Sequence, residues 1–317
     1  MLVINTIAPI ALVILLGAIL RRSGFAPESL FLQTNRLVFW VGIPCLLFEK
    51  TAGAAEQGGP GLRIFYVLFI GMIGCVLLGY LFSWMLRLPK RSVGAFVQAA
   101  YRGNLAYLGL PVVYFALAGS GGEASADVQK LAVMAIAPLI PIYNAAAVFV
   151  LLAGQRHDEP SFRKRVHHIV VRMATNPLLL ACVAGIGWSL TGRRLPLVVG
   201  RTFGAVGQMA LPLALLGIGA SLRLGALKDG WLPAAACSLI KTAAAPTIGY
   251  FVGRAIGLPD DHLLIAVIFL ACPTAVVSWV MAEQLDGDKH LAAGGVVLST
   301  LLSMLTIATI LVLMASS

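Results

Sequence analysis

Polar side chains and helix breakers share one short stretch inside otherwise apolar sequence. Residues 101–111 read YRGNLAYLGLP and place Arg102 and Asn104 among two glycines and a proline. An arginine in lipid is costly and is a functional-site candidate by default, and its planar guanidinium binds a carboxylate with two hydrogen bonds. The stretch therefore predicts a buried site that binds a carboxylate ligand. The alternative is that Arg102 reaches the interface or pairs with a backbone carbonyl.

A second interrupted stretch lies in the C-terminal half of the chain. Residues 271–278 read ACPTAVVS, in which Pro273 removes a backbone N–H and disfavours helix at the residue before it. The N–H groups bared where a helix restarts carry partial positive charge and favour an anion. Non-helical backbone at membrane depth is tolerated only where it is buried or lines a cavity, so paired breaks indicate a transport site. An ordinary proline kink is the alternative at each break taken alone.

The predicted substrate site combines both stretches. Its predicted residues are Arg102, Gly103, Asn104, Gly109, Pro111, Cys272, Pro273, Thr274, Ala275 and Ser278, together with Pro44 and Cys45 from an IPCLL stretch. No metal ligand set and no cofactor is predicted.

Lys241, in SLIKTAAAP, is a second cation within a predicted span. We expect it to set the ion coupling, either as a built-in cation or by loading and releasing a proton. Tyr143 and Asn144, in PIYNAAAV, are its predicted supporting residues. The alternative is a structural lysine that reaches Glu283, a helix C-terminus or the interface.

Composition determines the broad class of the protein. Of the 317 residues, 59% are hydrophobic and 11% are charged, against about 25% charged in soluble domains. The apolar runs are long and continuous, which predicts an all-α, multi-pass membrane protein. The net charge of +10 is explained by basic residues in cytoplasmic loops and does not indicate nucleic-acid binding. The five cysteines are scattered through apolar spans, which indicates packing residues and not disulfides or metal ligands.

Ten membrane spans are predicted from the apolar runs. They cover approximately residues 4–20, 31–49, 62–86, 92–118, 129–153, 173–191, 202–221, 231–255, 262–285 and 291–315. Because Lys and Arg accumulate on the cytoplasmic side of membrane proteins, we expect the basic connector 154–172 in the cytoplasm. Both termini are then predicted on the non-cytoplasmic side of the inner membrane.

A constant offset in numbering relates the two halves of the chain. Gly79, Tyr80, Leu88 and Pro89 recur as Gly249, Tyr250, Leu258 and Pro259, and we call this spacing the repeat offset. The same offset maps span 3 onto span 8 and span 4 onto span 9, which superimposes the two interrupted stretches. Each half has an odd number of spans, so the second must enter the membrane from the opposite side, as in inverted-repeat transporters. The predicted repeats are residues 1–153 and 173–317, joined by a linker at 154–172.

These motifs resemble the auxin efflux carrier family, which includes bacterial malate and malonate permease-like proteins. The resemblance rests on RGNLAYLGLP, on ACPTAVVSWVMAEQLDGD and on prolines in spans 2, 4, 7 and 9, and it covers the whole chain. It implies the fold of sodium–proton antiporters and bile acid symporters, with broken spans 4 and 9 crossing each other. It also implies a scaffold of spans 1, 2, 6 and 7, a transport domain of spans 3–5 and 8–10 that moves as an elevator, and a homodimer.

The predicted function is a secondary-active or facilitative efflux carrier of small organic anions, with proton coupling left open. A sodium–proton antiporter is the first alternative, but it needs a midplane carboxylate that the predicted spans 4, 5, 9 and 10 lack. A membrane sensor without transport is the second. Enzyme motifs such as HExxH and GxSxG are missing from the sequence, as is the Walker A motif.

Overall fold

The secondary-structure elements of the described residues are all helices. The structure is a computed structural model and describes residues 2–52, 58–117, 125–153, 171, 175, 177–221, 231–285 and 287–315. Its α-helices are α1 Leu2–Arg22, α2 Glu28–Leu37, α3 Ile43–Ala52, α4 Gly58–Met85, α5 Lys90–Tyr101, α6 Leu110–Ala116, α7 Ala126–Ile136, α8 Leu139–Ala153, α9 Pro177–Ser189, α10 Leu197–Ser221, α11 Trp231–Leu239, α12 Ala245–Ala255, α13 Asp260–Ala271, α14 Val277–Gln284 and α15 Lys289–Ala315. The predicted linker, residues 154–172, lies outside the described residues apart from residue 171.

Within the described part of the chain, five helical stretches are long and apolar enough to cross a membrane. They are Ser29–Glu49, Gly61–Met85, Leu197–Gly217, Trp231–Ala255 and Lys289–Met314, and Leu105–Ala116 and Ile142–Ala153 are shorter apolar helices. Crossing takes about 20 residues at 1.5 Å each, and an interrupted span falls short of that length. The helices support a multi-pass membrane protein, and the number of ten spans stays a prediction.

The repeat offset reappears in the way that two helices end. After α4, the N–H of Leu88 donates to the carbonyl of Ser83 at 3.0 Å. After α12, the N–H of Leu258 donates to the carbonyl of Gly253 at 2.9 Å. Both are the six-to-one bond of a Schellman motif, which satisfies carbonyls left bare at a helix C-terminus. Each turn is followed by a proline and then by a helix of 12 residues, α5 or α13.

Three π-helical turns occur in the described helices, each ending two residues before a proline. They are Val38–Gly42 before Pro44, Leu105–Gly109 before Pro111 and Ile240–Ala244 before Pro246. In each, the residue before the proline donates its N–H five residues back, as Leu110 does to Leu105. Proline has no N–H and its ring clashes with the carbonyl four residues earlier, so the helix widens ahead of it. Pro111 therefore widens a helix that has already restarted at Leu105, and the break itself lies seven residues before this proline, at Asn104.

Helix packing divides the described helices into two groups. In the first, α10 packs against α1, α2 and α3, and α3 also packs against α9. In the second, α4 packs against α5, α7, α12 and α13, while α15 packs against α5, α11 and α14. The groups meet where α1 contacts α6 and α15, where α3 contacts α7, where α9 contacts α8, and where α10 contacts the π-helical turn Leu105–Gly109.

The two Schellman turns generate a stability prediction. Arg87 and Gly257 occupy equivalent positions with φ of 50° and 66°, a left-handed conformation that glycine adopts freely and other residues adopt at a cost. We expect Arg87→Gly to stabilise the detergent-solubilised protein by about 0.5–1 kcal/mol, because relief of the left-handed strain exceeds the added entropy of the unfolded chain. Gly257→Arg should destabilise it by about 1 kcal/mol. Thermal unfolding of both variants checks this, and equal melting temperatures for the three proteins would contradict it.

Candidate functional site

Two helices stop in the interior of the protein and their ends lie side by side. α5 ends at Tyr101 and is followed by non-helical residues 102–104, whereas α13 ends at Ala271 and is followed by non-helical residues 272–276. The N–H of Asn104 donates to the carbonyl of Pro273 at 2.8 Å, and the N–H of Ala275 donates to the carbonyl of Arg102 at 2.9 Å. These two bonds form an antiparallel bridge that satisfies backbone groups which the helices leave bare.

Gly103 allows this close approach of the two chains. It forms the bridge with Thr274. A Cβ added at Gly103 would lie 3.1 Å from Cε of Lys241 and 3.0 Å from Cδ2 of Leu105. Both distances are tighter than ordinary van der Waals contact, so a side chain at this position would push against Lys241 and the restarted helix.

Side-chain donors occupy the carbonyl ends of both interrupted helices. The hydroxyl of Thr274 donates to the carbonyl of Ala99 in the last turn of α5 at 2.7 Å. The ammonium of Lys241 donates to the carbonyl of Leu270 in the last turn of α13. A helix C-terminus carries partial negative charge and attracts cations and donors. Lys241 is fully buried. Its contact with the end of α13 matches one of the alternatives predicted for it, a lysine that reaches a helix C-terminus.

The ends at which the two helices restart are not capped in this way. The restart in span 4 has Asn104 as its N-cap residue and the restart in span 9 has Val276, and neither side chain makes a capping hydrogen bond. Restarting N-termini carry partial positive charge and are suited to an anion. The bridged breaks therefore have carbonyl ends that protein donors satisfy and restarting ends whose N-cap side chains make no hydrogen bond. Just before the second restart, the N–H of Thr274 donates to the hydroxyl of Ser299 at 2.9 Å.

Arg102 lies beside the bridge and is 5% exposed. Its Nη2 donates to Oδ1 of Asn144 at 2.5 Å, and its Nη1 donates to the sulfur of Met281. The amide and the thioether are the acceptors of this guanidinium among the described side chains. The hydroxyl of Tyr101 donates to the backbone carbonyl of Tyr143, the residue before Asn144, at 3.3 Å. The structure thus brings Arg102, Asn144 and Tyr143 together.

The remaining predicted residues divide into those at the bridge and those away from it. Gly109 packs against Phe269 and Cys272, since an added Cβ would lie 2.7 Å from the Phe269 ring and 3.2 Å from the Cys272 sulfur. Pro111 and Ser278 are buried near the bridge, in α6 and α14. Pro44 and Cys45 lie on α3, whose main neighbours are α9 and α10.

Three residues of this region were not predicted: Gln98, Met281 and Ser299, whose hydroxyl accepts from the N–H of Thr274. Gln98 and Met281 are buried next to Arg102, with Nε2 of Gln98 3.8 Å from the Met281 sulfur. Gln98 precedes Arg102 by four residues, which places both on one face of a helix. The sequence could therefore have predicted that Gln98 lies beside Arg102. Met281 carried no such signal because a methionine in a span is ordinarily a packing residue.

Comparison with known proteins adds a family. The profile of a family described as membrane transport protein matches residues 2–311. An uncharacterized transporter of Methanothermobacter thermautotrophicus is 25% identical over 307 residues, which cover 96% of this chain and 95% of that protein. A protein of Rhizobium meliloti, named as a proposed malonate transporter, is 24% identical over 310 residues, 96% of this chain and 93% of its own length. An uncharacterized transporter of Methanocaldococcus jannaschii is 21% identical over 314 residues, 97% of both chains.

The Thr274 contact gives a prediction about the bridge. Thr274→Val keeps the side-chain shape but removes the donor to Ala99, leaving a buried carbonyl unsatisfied. We expect a loss of about 1–3 kcal/mol of stability, measured as a lower melting temperature in detergent.

Thr300→Val is the matched control for this substitution. Thr300 is equally buried, but its hydroxyl donates to the carbonyl of Val296 in its own helix at 2.7 Å, so its loss should cost less. Equal melting temperatures for the two variants would contradict a special role for the Thr274 contact.

Proposed function

Because the chain belongs to the membrane transport protein family, the auxin efflux carrier family that its motifs resemble, we propose that it carries small organic anions with a carboxylate group. Transport would proceed by alternating access, either driven by an ion gradient or as facilitated diffusion. The relatives are named transporters, and the name of one gives malonate as its proposed substrate. A short dicarboxylate is therefore among the first substrates to test.

The observation that carries the proposal is the polarity of the two bridged breaks. Thr274 and Lys241 occupy carbonyl ends, which removes the negative groups that would attract a metal cation. The restarting ends are left without a side-chain cap, and the buried guanidinium of Arg102 lies next to them. A carboxylate complements both features, since it accepts from bared N–H groups and from arginine in the same plane.

An elevator mechanism is part of the proposal. The two packing groups support it: α1–α3, α9 and α10 would be the scaffold, and α4–α8 with α11–α15 would be the moving transport domain. The backbone bridge lies wholly within the second group, so a carried anion would move together with its binding residues. The equivalent Schellman turns, related by the repeat offset, support the inverted repeat, which supplies two related conformations for alternating access.

Lys241 is proposed to take the place of a coupling cation. Its ammonium is buried against the Leu270 carbonyl and lies close to Gly103, so one fixed charge contacts both breaks. A carrier with such a charge needs no sodium ion at that point. Gain or loss of a proton by Lys241 is the coupling step that the sequence analysis left open.

Transport assays test the role of Arg102. We expect purified protein in liposomes to exchange labelled malonate or malate, and Arg102→Gln to lower that rate about 30-fold or more, because a buried charged partner is lost. Arg254→Gln is the control: Arg254 is an exposed arginine paired with Asp260 at 2.8 Å. If the wild-type protein moves none of a panel of carboxylates, the proposed function is wrong and a sensor or cation exchanger must be considered.

A second assay addresses Lys241. Lys241→Gln keeps a donor for the Leu270 carbonyl and removes the charge, whereas Lys241→Met removes both. We expect both variants to transport about tenfold more slowly with an altered pH profile, and only the Met variant to lose stability as well. Wild-type transport should not depend on sodium. Unchanged rates and pH profiles in both variants would rule out a coupling role for Lys241.

A further inference from the structure

A thioether sulfur occupies the position beside Arg102 where an anion would be expected. Nη1 of Arg102 and Nε2 of Gln98 both donate to the sulfur of Met281, the second over 3.8 Å. A thioether is a weak acceptor, whereas a buried guanidinium makes its strongest hydrogen bonds to a carboxylate. Two donors therefore converge on an atom that satisfies neither of them well.

Regular helix geometry brings these groups together. Gln98 lies in the last turn of α5, and Arg102 is the C-cap residue whose N–H donates to the carbonyl of Gln98 at 3.0 Å, so the two side chains leave the helix end on the same side. Ser278 and Met281 are three residues apart on α14 and share a face in the same way. α14 packs against α5, and the Met281 sulfur lies where the two faces meet. The sulfur thus fills a buried space between two helices that has donors on one side, and we call this space the pocket.

Two polar atoms around this pocket have no partner. Oε1 of Gln98 and Oγ of Ser278 are buried and make no hydrogen bond, and both residues are 0% exposed. Buried polar groups are almost always hydrogen-bonded, and each exception calls for an explanation. A polar ligand that enters the pocket would supply the missing partners. These atoms are independent of the Arg102 contact, and their residues lie on the faces of α5 and α14 that meet at Met281.

We propose that Met281 is a displaceable occupant of the anion position. Its sulfur fills the position when no substrate is bound and moves out when a carboxylate enters. Arg102 and Gln98 then donate to the carboxylate in place of the sulfur, with Ser278 lining the pocket. This inference rests on the proposed function, because it assumes that Arg102 receives the substrate carboxylate. It adds Gln98 and Met281 to the residues that determine affinity.

Methionine is suited to this role for two physical reasons. Its side chain is unbranched and flexible, so it can leave a pocket without moving the helix that carries it. Its sulfur is also a poor competitor for a guanidinium. An acidic side chain in the same place would hold Arg102 permanently and exclude the substrate, and an aliphatic one would leave the guanidinium with a single acceptor.

The test compares three substitutions at Met281 by ligand-induced thermal shift, with malonate and malate as probes. Met281→Glu places a carboxylate next to Arg102, so we expect it to weaken binding at least about tenfold relative to Met281→Gln, its neutral counterpart of the same shape. Met281→Leu keeps the volume but removes the competing acceptor, and we expect it to bind the probes several-fold more tightly than the wild-type protein.

The outcomes separate the inference from the proposed function. If the wild-type protein binds no carboxylate, both are wrong. If it binds and Arg102→Gln abolishes binding, but the Glu and Gln variants behave alike and the Leu variant binds no more tightly, then Arg102 keeps its role and Met281 is not an occupant of the anion position. Should the Glu variant fail to fold, the Leu variant alone decides, since tighter binding supports displacement and unchanged or weaker binding overturns it.

Discussion

The structure depends on the need to satisfy backbone groups where two helices are interrupted far from water. An unpaired N–H or carbonyl in a lipid-like interior costs several kcal/mol, so neither interruption could exist alone. Here each supplies the partner of the other, through the bonds from Asn104 to Pro273 and from Ala275 to Arg102. The surrounding side chains follow from this pairing. Gly103 is needed for the close approach, and Thr274 and Lys241 take the carbonyls that the bridge does not reach.

The same constraint determines which sign of charge the region around the bridge favours. Once protein donors hold the carbonyl ends, the N–H groups at the restarting helices and the guanidinium of Arg102 supply the positive charge at the bridge. Among the described side chains, those that accept from Arg102 are the neutral Asn144 and Met281, so a site assembled from these groups favours negative charge. The basic composition of the whole chain is a separate matter, because most Lys and Arg residues fall in connectors between the predicted spans. Anion preference is thus argued from a few buried groups and not from the net charge.

Much of this region could be predicted from the sequence, because helix breakers and buried polar residues are visible in an apolar background. The repeat offset aligns the two interruptions from the sequence alone, and the helix ends at Ser83–Leu88 and Gly253–Leu258 repeat it. The exact position of the first interruption could not be predicted from proline, since a helix can absorb Pro111 by widening into a π-helical turn. The contact of Met281 with Arg102 was equally hidden, because it depends on how α14 packs against α5.

The two halves repeat a helix end at the same offset, but they do not repeat their charges. At the repeat offset Arg102 corresponds to Cys272, and Lys241 corresponds to Gly71. On the proposed inverted repeat, a common backbone lets each half adopt the conformation of the other, which is what alternating access requires. Charges that obeyed the same symmetry would place a second lysine and a second arginine around the bridge and raise the cost of burying like charges together. One cation from each half, at non-equivalent positions, keeps the backbone exchange while limiting that cost.

The asymmetry also gives the two cations different neighbours, a helix carbonyl for Lys241 and weak acceptors for Arg102. Arg102, whose acceptors are weak, can then exchange them for a substrate, whereas Lys241 keeps its carbonyl.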